Sequence, residues 1–324
     1  MYRIKRLFNP DIFQGRGHEK NYFEGWYFKC ADESTKNVLA VIPGISKGAS
    51  HRESHAFVQV IDGMRNRSGY FTYPMDDFVY SSDHMAVKIG NNLFTRDGLT
   101  LDLSDKNMSY SGTLSFVHPQ PYPKTLWHPG IMGPFSFIPF MECYHDVIHM
   151  EHGLSGSLNI DREPWDFTGG KGYIEKDWGT SFPDSWVWIQ CNHFSEPNTS
   201  FMLSYAHIPF LGKSFSGLIA FLNARGRFFR MTTYQGAHVT SLDYLDNTLS
   251  VLVESKQYAL NLTISLHNGS QLMAPKKGTM AVPLVESLTS NLEMFLLDKQ
   301  GRILFEGEGK TVGVEVAGEL TKLD

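Results

Sequence analysis

The stretch Lys171-Gly-Tyr-Ile-Glu-Lys-Asp-Trp-Gly-Thr-Ser-Phe-Pro-Asp-Ser-Trp-Val-Trp-Ile-Gln-Cys-Asn-His-Phe194 combines the tryptophans Trp178, Trp186 and Trp188 with the carboxylates Glu175 and Asp177 and the amides Gln190 and Asn192. It is too polar for a plain core strand and too aromatic for a plain surface loop. From Asp184 onward it alternates: Asp184, Trp186, Trp188, Gln190 and Asn192 point one way, and Ser185, Val187, Ile189 and Cys191 the other. With the second set in a core, the first lines a cavity, an aromatic wall with a few placed polar groups of the kind a small-molecule site requires. A strand buried on both faces, its amides bonded to neighbouring backbone, fits the same pattern.

A related signature stands near the N-terminus. Asn21-Tyr-Phe-Glu-Gly-Trp-Tyr-Phe-Lys-Cys30 aligns with Ser181-Phe-Pro-Asp-Ser-Trp-Val-Trp-Ile-Gln190, pairing Tyr22 with Phe182, Glu24 with Asp184 and Trp26 with Trp186. The apolar segments that follow each copy correspond at nearly constant offset. A repeat of about half the chain indicates duplication of a domain-sized unit rather than a solenoid. The expected division is residues 1–165 and 166–324, with the junction near Asp161 to Gly170.

Between these signatures the apolar segments are short, rich in β-branched and aromatic residues, and separated by turn signals such as Asp62-Gly63, Asp97-Gly98 and Gln300-Gly301. Long stretches of period 3.6 are lacking. The expected fold is all-β, two related barrels or sandwiches. The Pro- and aromatic-rich segment from Pro119 to Pro139 interrupts the pattern and is expected to run across the surface or between the domains.

The chain of 324 residues is 42% hydrophobic and 19% charged, with a formal net charge of −5. Mild acidity without a Lys/Arg run argues against a nucleic-acid binder. Met1 to Pro10 carries basic residues with no apolar region after them, and no apolar run reaches the roughly 18 residues of a spanning helix, so the expected location is the cytoplasm. Cys30, Cys143 and Cys191 show no metal-type spacing and suit a reducing compartment.

Two motif-like strings carry less than they suggest. Gly44-Ile-Ser-Lys-Gly48 has nucleophile-elbow spacing, but the elbow needs a helix behind it and a polar segment follows, so Ser46 is assigned to a hairpin. His145, His149 and His152 would share one face of a helix as metal ligands. In a strand His145 and His149 share a face and His152 leaves it, so no metal site is expected. No phosphate-cradling glycine loop is present, and no nucleotide cofactor is expected.

The strings Tyr22-Phe-Glu-Gly-Trp-Tyr-Phe-Lys29, Gly130-Ile-Met-Gly-Pro-Phe-Ser-Phe-Ile-Pro139, Gly172-Tyr-Ile-Glu-Lys-Asp-Trp-Gly179 with Phe182-Pro183, Trp188-Ile-Gln-Cys-Asn192, Leu272-Met-Ala-Pro275 and Val312-Gly-Val-Glu-Val-Ala-Gly318 resemble the tocopherol cyclase family, in order and over nearly the whole chain. The resemblance implies a pair of lipocalin-like β-barrels, a fold class shared with carotenoid hydratases, and closure of a chromanol ring from a prenylated hydroquinone. At the position of Asp177 plant members can carry Asn.

Such a cyclisation protonates a trisubstituted alkene and lets a phenolic oxygen of the same molecule capture the resulting cation, with no redox cofactor or metal. It requires a protonated carboxylic acid, aromatic faces around the cation, and exclusion of water. Glu175 and Glu24 sit beside aromatics that raise a carboxyl pKa by desolvation, and Glu175 is the expected proton donor, with Glu24 as its counterpart in the other half and Asp177 as a further candidate. Trp26, Trp178, Trp186 and Trp188 are the expected cation–π partners, each worth on the order of 2 kcal/mol when desolvated. Gln190 and Asn192 are candidates to orient the hydroquinone, and His55 to shuttle a proton. Structural roles compete: Glu24 bonded to a turn backbone, Glu175 paired with Lys176 or an arginine, the tryptophans plugging barrel ends.

The expected partner is thus a hydrophobic prenyl lipid. A non-catalytic carrier of such lipids and a hydratase in which water captures the cation remain the alternatives. The segments Pro134 to Met141 and Ile208 to Phe215, carrying Phe135, Phe137, Phe140, Phe210 and Phe215, suit a lipid-facing rim and peripheral membrane contact.

Overall fold

Alternation of apolar and polar residues, expected to give strands, does so throughout. In Gly98–Ser104 Leu99, Leu101 and Leu103 are buried while Asp102 and Ser104 are exposed, and in Thr248–Glu254 Leu249, Val251 and Val253 are buried. The hairpin before Thr248 turns through Asp246 and Asn247, both at positive φ (49° and 61°), as the right-handed strand twist demands of a two-residue loop. A computed structural model describes residues 6–210 and 212–323. The first five residues of the basic N-terminal stretch and Leu211, within the second aromatic segment, lie outside them.

The first sheet consists of β1 (Tyr22–Ala31), β2 (Val38–Lys47), β3 (His55–Asp62), β4 (Arg67–Tyr73), β5 (Phe78–Tyr80), β6 (Ala86–Ile89), β7 (Asn92–Thr95), β8 (Gly98–Ser104), β9 (Ser109–Pro121), β10 (Cys143–Ile160), β11 (Glu163–Asp166) and β12 (Lys171–Gly179). Its order is β4-β3-β2-β1-β12-β10-β9-β8-β7-β6-β5, with β11 paired to β10. Trp26, Phe28, Val58, Phe94, Leu101 and Leu114, from strands across this order, share one buried cluster, so the sheet curls around its core.

The second sheet consists of β13 (Ser185–Cys191), β14 (His193–Phe194), β15 (Ser200–Phe210), β16 (Lys213–Ala224), β17 (Arg227–Thr232), β18 (His238–Leu245), β19 (Thr248–Glu254), β20 (Tyr258–Ser265), β21 (Ser270–Lys276), β22 (Thr279–Asp298) and β23 (Ile303–Ala317). Its order is β17-β16-β15-β13-β23-β22-β20-β19-β18. The plan repeats that of the first sheet. In each, the opening strand (β1, β13) has its sequence successors on one side and the closing strand (β12, β23) on the other.

The correspondence differs by one residue from that expected. Tyr27 stands opposite Glu175 of β12, and Trp188 opposite Glu315 of β23. Cys30 and Cys191 lie in the two cores, as do Phe28 and Ile189. Trp26 points into its core, whereas Trp186 alternates with the core residues Val187 and Ile189, so pairing these tryptophans inverts the faces, as a single-residue slip must.

The compact units are residues up to Phe182 with Leu272–Pro283, and Pro183–Gln271 with Leu284–Asp324. The expected junction at 165/166 falls inside the first unit, because β12 is hydrogen-bonded between β1 and β10. Leu272–Pro283 is tied to the first unit by Gln59, whose Nε2 donates to Met273 O at 3.1 Å while its Oε1 accepts from Met273 N at 2.9 Å. Ser46 does the same from within β2: its Oγ donates to Gly278 O at 2.9 Å, a structural role on a strand rather than in a loop.

Candidate functional site

The two faces of β12 divide the candidate residues. Ile174 belongs to the core cluster and Trp178 packs against it, with Lys176 between them in sequence; Tyr173, Glu175 and Asp177 occupy the opposite face. β1 and β10 flank β12, so Glu175 has Tyr27 on one side and Val147 on the other, and Asp177 has His145 beside it. The glycine ending β12, Gly179, has φ +150°, and a Cβ there would collide with the backbone of Glu142. Only glycine lets β12 and the start of β10 approach so closely.

On the outward face Tyr173 Oη donates to Glu175 Oε2 at 2.6 Å, and His145 Nε2 meets the same oxygen at 3.0 Å. Cys143 Sγ donates to Asp177 Oδ1 at 3.8 Å. His145, Glu175 and Asp177 present one polar atom each within 4.8 Å of one another. Glu175 is only 6% exposed. Burial alone would lower the His145 pKa, but the adjacent Asp177 and Glu175 outweigh it and raise it to about 9. Burial first, and the Glu175 charge against the opposing pull of His145, push Asp177 up to about 7. Tyr173 is pushed well above its ordinary value by burial and then by Glu175, and keeps its proton. His145 and Asp177 thus both lie above their ordinary pKa values, His145 against burial and through the charge of its neighbours, Asp177 through burial and the charge of Glu175. A histidine with two carboxylates is also a set that a divalent cation can use, although His145 Nε2 is here engaged by Glu175.

The core-side face is a different construction. Lys176 is fully buried; its Nζ meets Glu24 Oε1 at 2.6 Å and donates to Ile12 O at 2.6 Å and Pro10 O at 2.8 Å. It lies 4.6 Å from the Trp26 ring centroid and 5.0 Å from that of Trp178. Glu24 also accepts from Gln14 N at 2.8 Å and Tyr22 Oη at 2.5 Å. Trp26 and Trp178 thus already face a cation, and Glu24 is a structural carboxylate on the far side of the sheet from Glu175. The counterpart of Glu175 is instead Glu315, on the closing strand of the second sheet.

In the second unit Trp186, Trp188 and Gln190 lie on the face of β13 turned away from that unit's core, all buried. Trp186 Nε1 donates to Glu315 Oε2 at 2.6 Å, and Glu286 of β22 stands opposite Glu315. Asn192 accepts from His193 Nδ1 at 3.0 Å. His55 meets Tyr70 Oη at 2.7 Å on β3, separated from β12 by β2 and β1.

The histidine series is split by bulges in β10 on either side of His149. His149 and His152 turn to each other with their Nδ1 atoms 3.4 Å apart, and Arg96 Nε donates to His149 Nε2 at 3.2 Å. Burial, then Arg96, holds His149 at about 4, and burial keeps His152 well below its usual value. His145 joins the acids instead, contrary to the expected pairing with His149. Its role was hidden because it depends on which strand β10 pairs with. Glu315 carried a signal, a lone carboxylate within the valine alternation of Val312 to Val316.

A family profile described as tocopherol cyclase-like matches residues 120–318, more than half of the chain. A probable chloroplastic tocopherol cyclase of Oryza sativa subsp. japonica is 26% identical over 199 residues, covering 57% of this chain and 42% of that protein. A chloroplastic tocopherol cyclase of Zea mays is 27% identical over 198 residues, covering 57% and 41%. The matched region thus spans about two fifths of either plant protein. Among solved structures, CghA covers 92% of this chain and 88% of its own at a TM-score of 0.59 and 10% identity, and an AttH-type protein of Nitrosomonas europaea covers 90% and 92% at 0.53 and 12%. Kievitone hydratase of Nectria haematococca covers 91% and 89% at 0.50 and 10%. At these identities the structures establish the shared two-barrel, lipocalin-like fold alone. With the profile spanning the Gly172–Gly179 strand, both flanking motifs and the closing strand that bears Glu315, the chain belongs to the tocopherol cyclase-like family.

Proposed function

We propose that the chain is a cofactor-independent cyclase that converts a prenylated hydroquinone to a chromanol. What supports this is the His145–Glu175–Asp177 cluster, whose polar atoms lie within 4.8 Å of one another and in which His145 and Asp177 are both raised above their ordinary pKa values. The plant relatives supply the substrate class. Asp177 gives its proton to the less substituted alkene carbon, the phenolic oxygen bonds to the tertiary centre, and the phenolic proton returns to the carboxylate. The product is an isomer of the substrate. Burial first, and then the neighbouring Glu175, raise Asp177, so Glu175, which accepts from both Tyr173 and His145, is assigned a supporting role beside the donor. Tyr27 and Tyr173, edge to face with centroids 6.5 Å apart, are the aromatic faces beside the cluster. Ring closure within one bound molecule gains from proximity.

The test is incubation with a prenylated methylhydroquinone in ¹⁸O-labelled water, with and without a chelator. An unlabelled product of substrate mass, formed equally in EDTA, supports the cyclase. A labelled, hydrated product makes the chain a hydratase, stoichiometric binding without conversion makes it a carrier, and loss of turnover in EDTA replaces the proton cluster by a metal site.

A further inference from the structure

Gly25 is a glycine that the fold does not require. It sits in the middle of β1 outside the left-handed region, and the pairings of β1 with β2 and β12 run past it without a register shift, so it marks neither a turn nor a bulge. A Cβ there would meet Ile42 Cγ2 at 3.6 Å and Pro43 O at 3.7 Å, ordinary van der Waals contacts, so no neighbouring backbone needs the space. Its partner Gly44 is the contrast, since a Cβ on that residue would strike Glu24 O and the Phe57 ring, both at 2.6 Å. Glycine inside a strand weakens it, through lost entropy and the absence of a side chain to pack. With bulge, turn and backbone approach set aside, what remains for such a glycine is the close approach of a ligand.

The position of that room gives it a use. Gly25 stands opposite Asp177 in the ladder between β1 and β12, on the face that carries Glu175 and His145. Cross-strand Cβ positions lie roughly 4.5–5.5 Å apart, so a carbon seated over Gly25 is within reach of the Asp177 carboxyl. Gly25 is the one partly exposed position of β1, and Asp177 is partly exposed as well. The surroundings are apolar and aromatic. Phe23 and Tyr27 stand two residues away on the same face, Ile42 closes in from β2, and Phe57, its ring against Gly44, is stacked on Tyr70 with centroids 5.3 Å apart.

We infer that Gly25 is a specificity-determining residue, leaving beside Asp177 the seat for the branched, cation-forming carbon of a prenyl tail. The inference rests on the proposed role of Asp177 as donor and adds which part of the substrate the site selects. The methyl branch fills the volume that a side chain at position 25 would take.

Two hydroquinones that cannot react test the seat by titration calorimetry, each with a long saturated tail, one bearing the methyl branch nearest the ring and one lacking it. One methyl group in an apolar site is worth roughly 10–200-fold. Gly25→Ala is therefore expected to weaken the branched ligand at least about tenfold and to leave the unbranched one little changed. Its urea midpoint should not fall, because alanine at a compatible backbone position restricts the unfolded chain. On a reactive prenylated hydroquinone, kcat/KM of the same variant should fall in parallel with the branched affinity. Equal loss for both ligands, loss for neither, or no binding of either by wild type overturns the inference. A Gly25→Ala chain that unfolds overturns it too, since the fold would then require the glycine. Selective loss of the branched ligand with no turnover by wild type keeps the seat and overturns the cyclase reading instead.

Discussion

His145 Nε2 and Glu175 Oε2 lie 3.0 Å apart across the ladder between β10 and β12, on the face of the sheet opposite its core. Asp177 completes the group from the same face of β12. Protonation in such a cluster is a shared property, and the variants below separate its members.

Asp177→Asn removes the poised proton, and turnover of a prenylated hydroquinone is expected to fall at least about 100-fold, the low end of general-acid contributions. Glu175→Gln is expected to cost activity and to lower the Asp177 pKa. Since the active form is the protonated carboxyl, wild-type kcat should hold below about pH 7 and decline above it, and that limb should move to lower pH in Glu175→Gln. An Asp177→Asn enzyme at wild-type rate would return the donor role to the His145–Glu175 pair.

The same shift has a stability signature. His145 is raised from 6.5 to about 9 in the fold, so its contribution is fully present below pH 6.5 and is lost as pH rises towards 9. Its magnitude is roughly 3 kcal/mol at most. Urea midpoints of wild type should decline across that window, and those of His145→Gln should be flatter. Equal slopes for the two proteins would show that the histidine gains no proton affinity on folding.

Lys176→Met leaves Glu24 buried without its counter-ion, and a loss of about 3–5 kcal/mol is expected in denaturant unfolding. Adding Glu24→Met removes the stranded charge and should recover much of that loss. If the single and double variants are equally unstable, the pair matters for packing against Trp26 and Trp178 rather than for charge.

Peripheral membrane contact is predicted for one loop. Leu126, Trp127 and Phe140 are 77%, 78% and 86% exposed, whereas Ile208 to Phe210 and Phe215 are partly covered at the ends of β15 and β16. Among the described residues no helix is long and apolar enough to cross a membrane. Sedimentation with liposomes should retain the protein and lose it on Trp127→Ser with Phe140→Ser. Retention in no lipid composition would leave the loop without a bilayer role.

The alternation of Leu99, Leu101 and Leu103 and the paired turn residues were sufficient to specify an all-β chain, because strand period and turn backbone are local properties. The family strings located the face carrying Glu175 and Asp177 for the same reason, since residues two apart share a face wherever the strand lies. What the alternation leaves open is its phase, which face meets the core, and which strand comes next. A one-residue difference in alignment sent Trp26 inward and left Trp186 outside its core, gave Glu24 to Lys176, and made Glu315 the counterpart of Glu175. The bulges around His149 and the insertion of β12 between β1 and β10 are likewise settled by hydrogen bonds between segments far apart in sequence. Bringing His145 to Glu175 therefore belongs to the tertiary structure, because strand register is fixed by long-range packing of whole faces and not by any single strand's own residues.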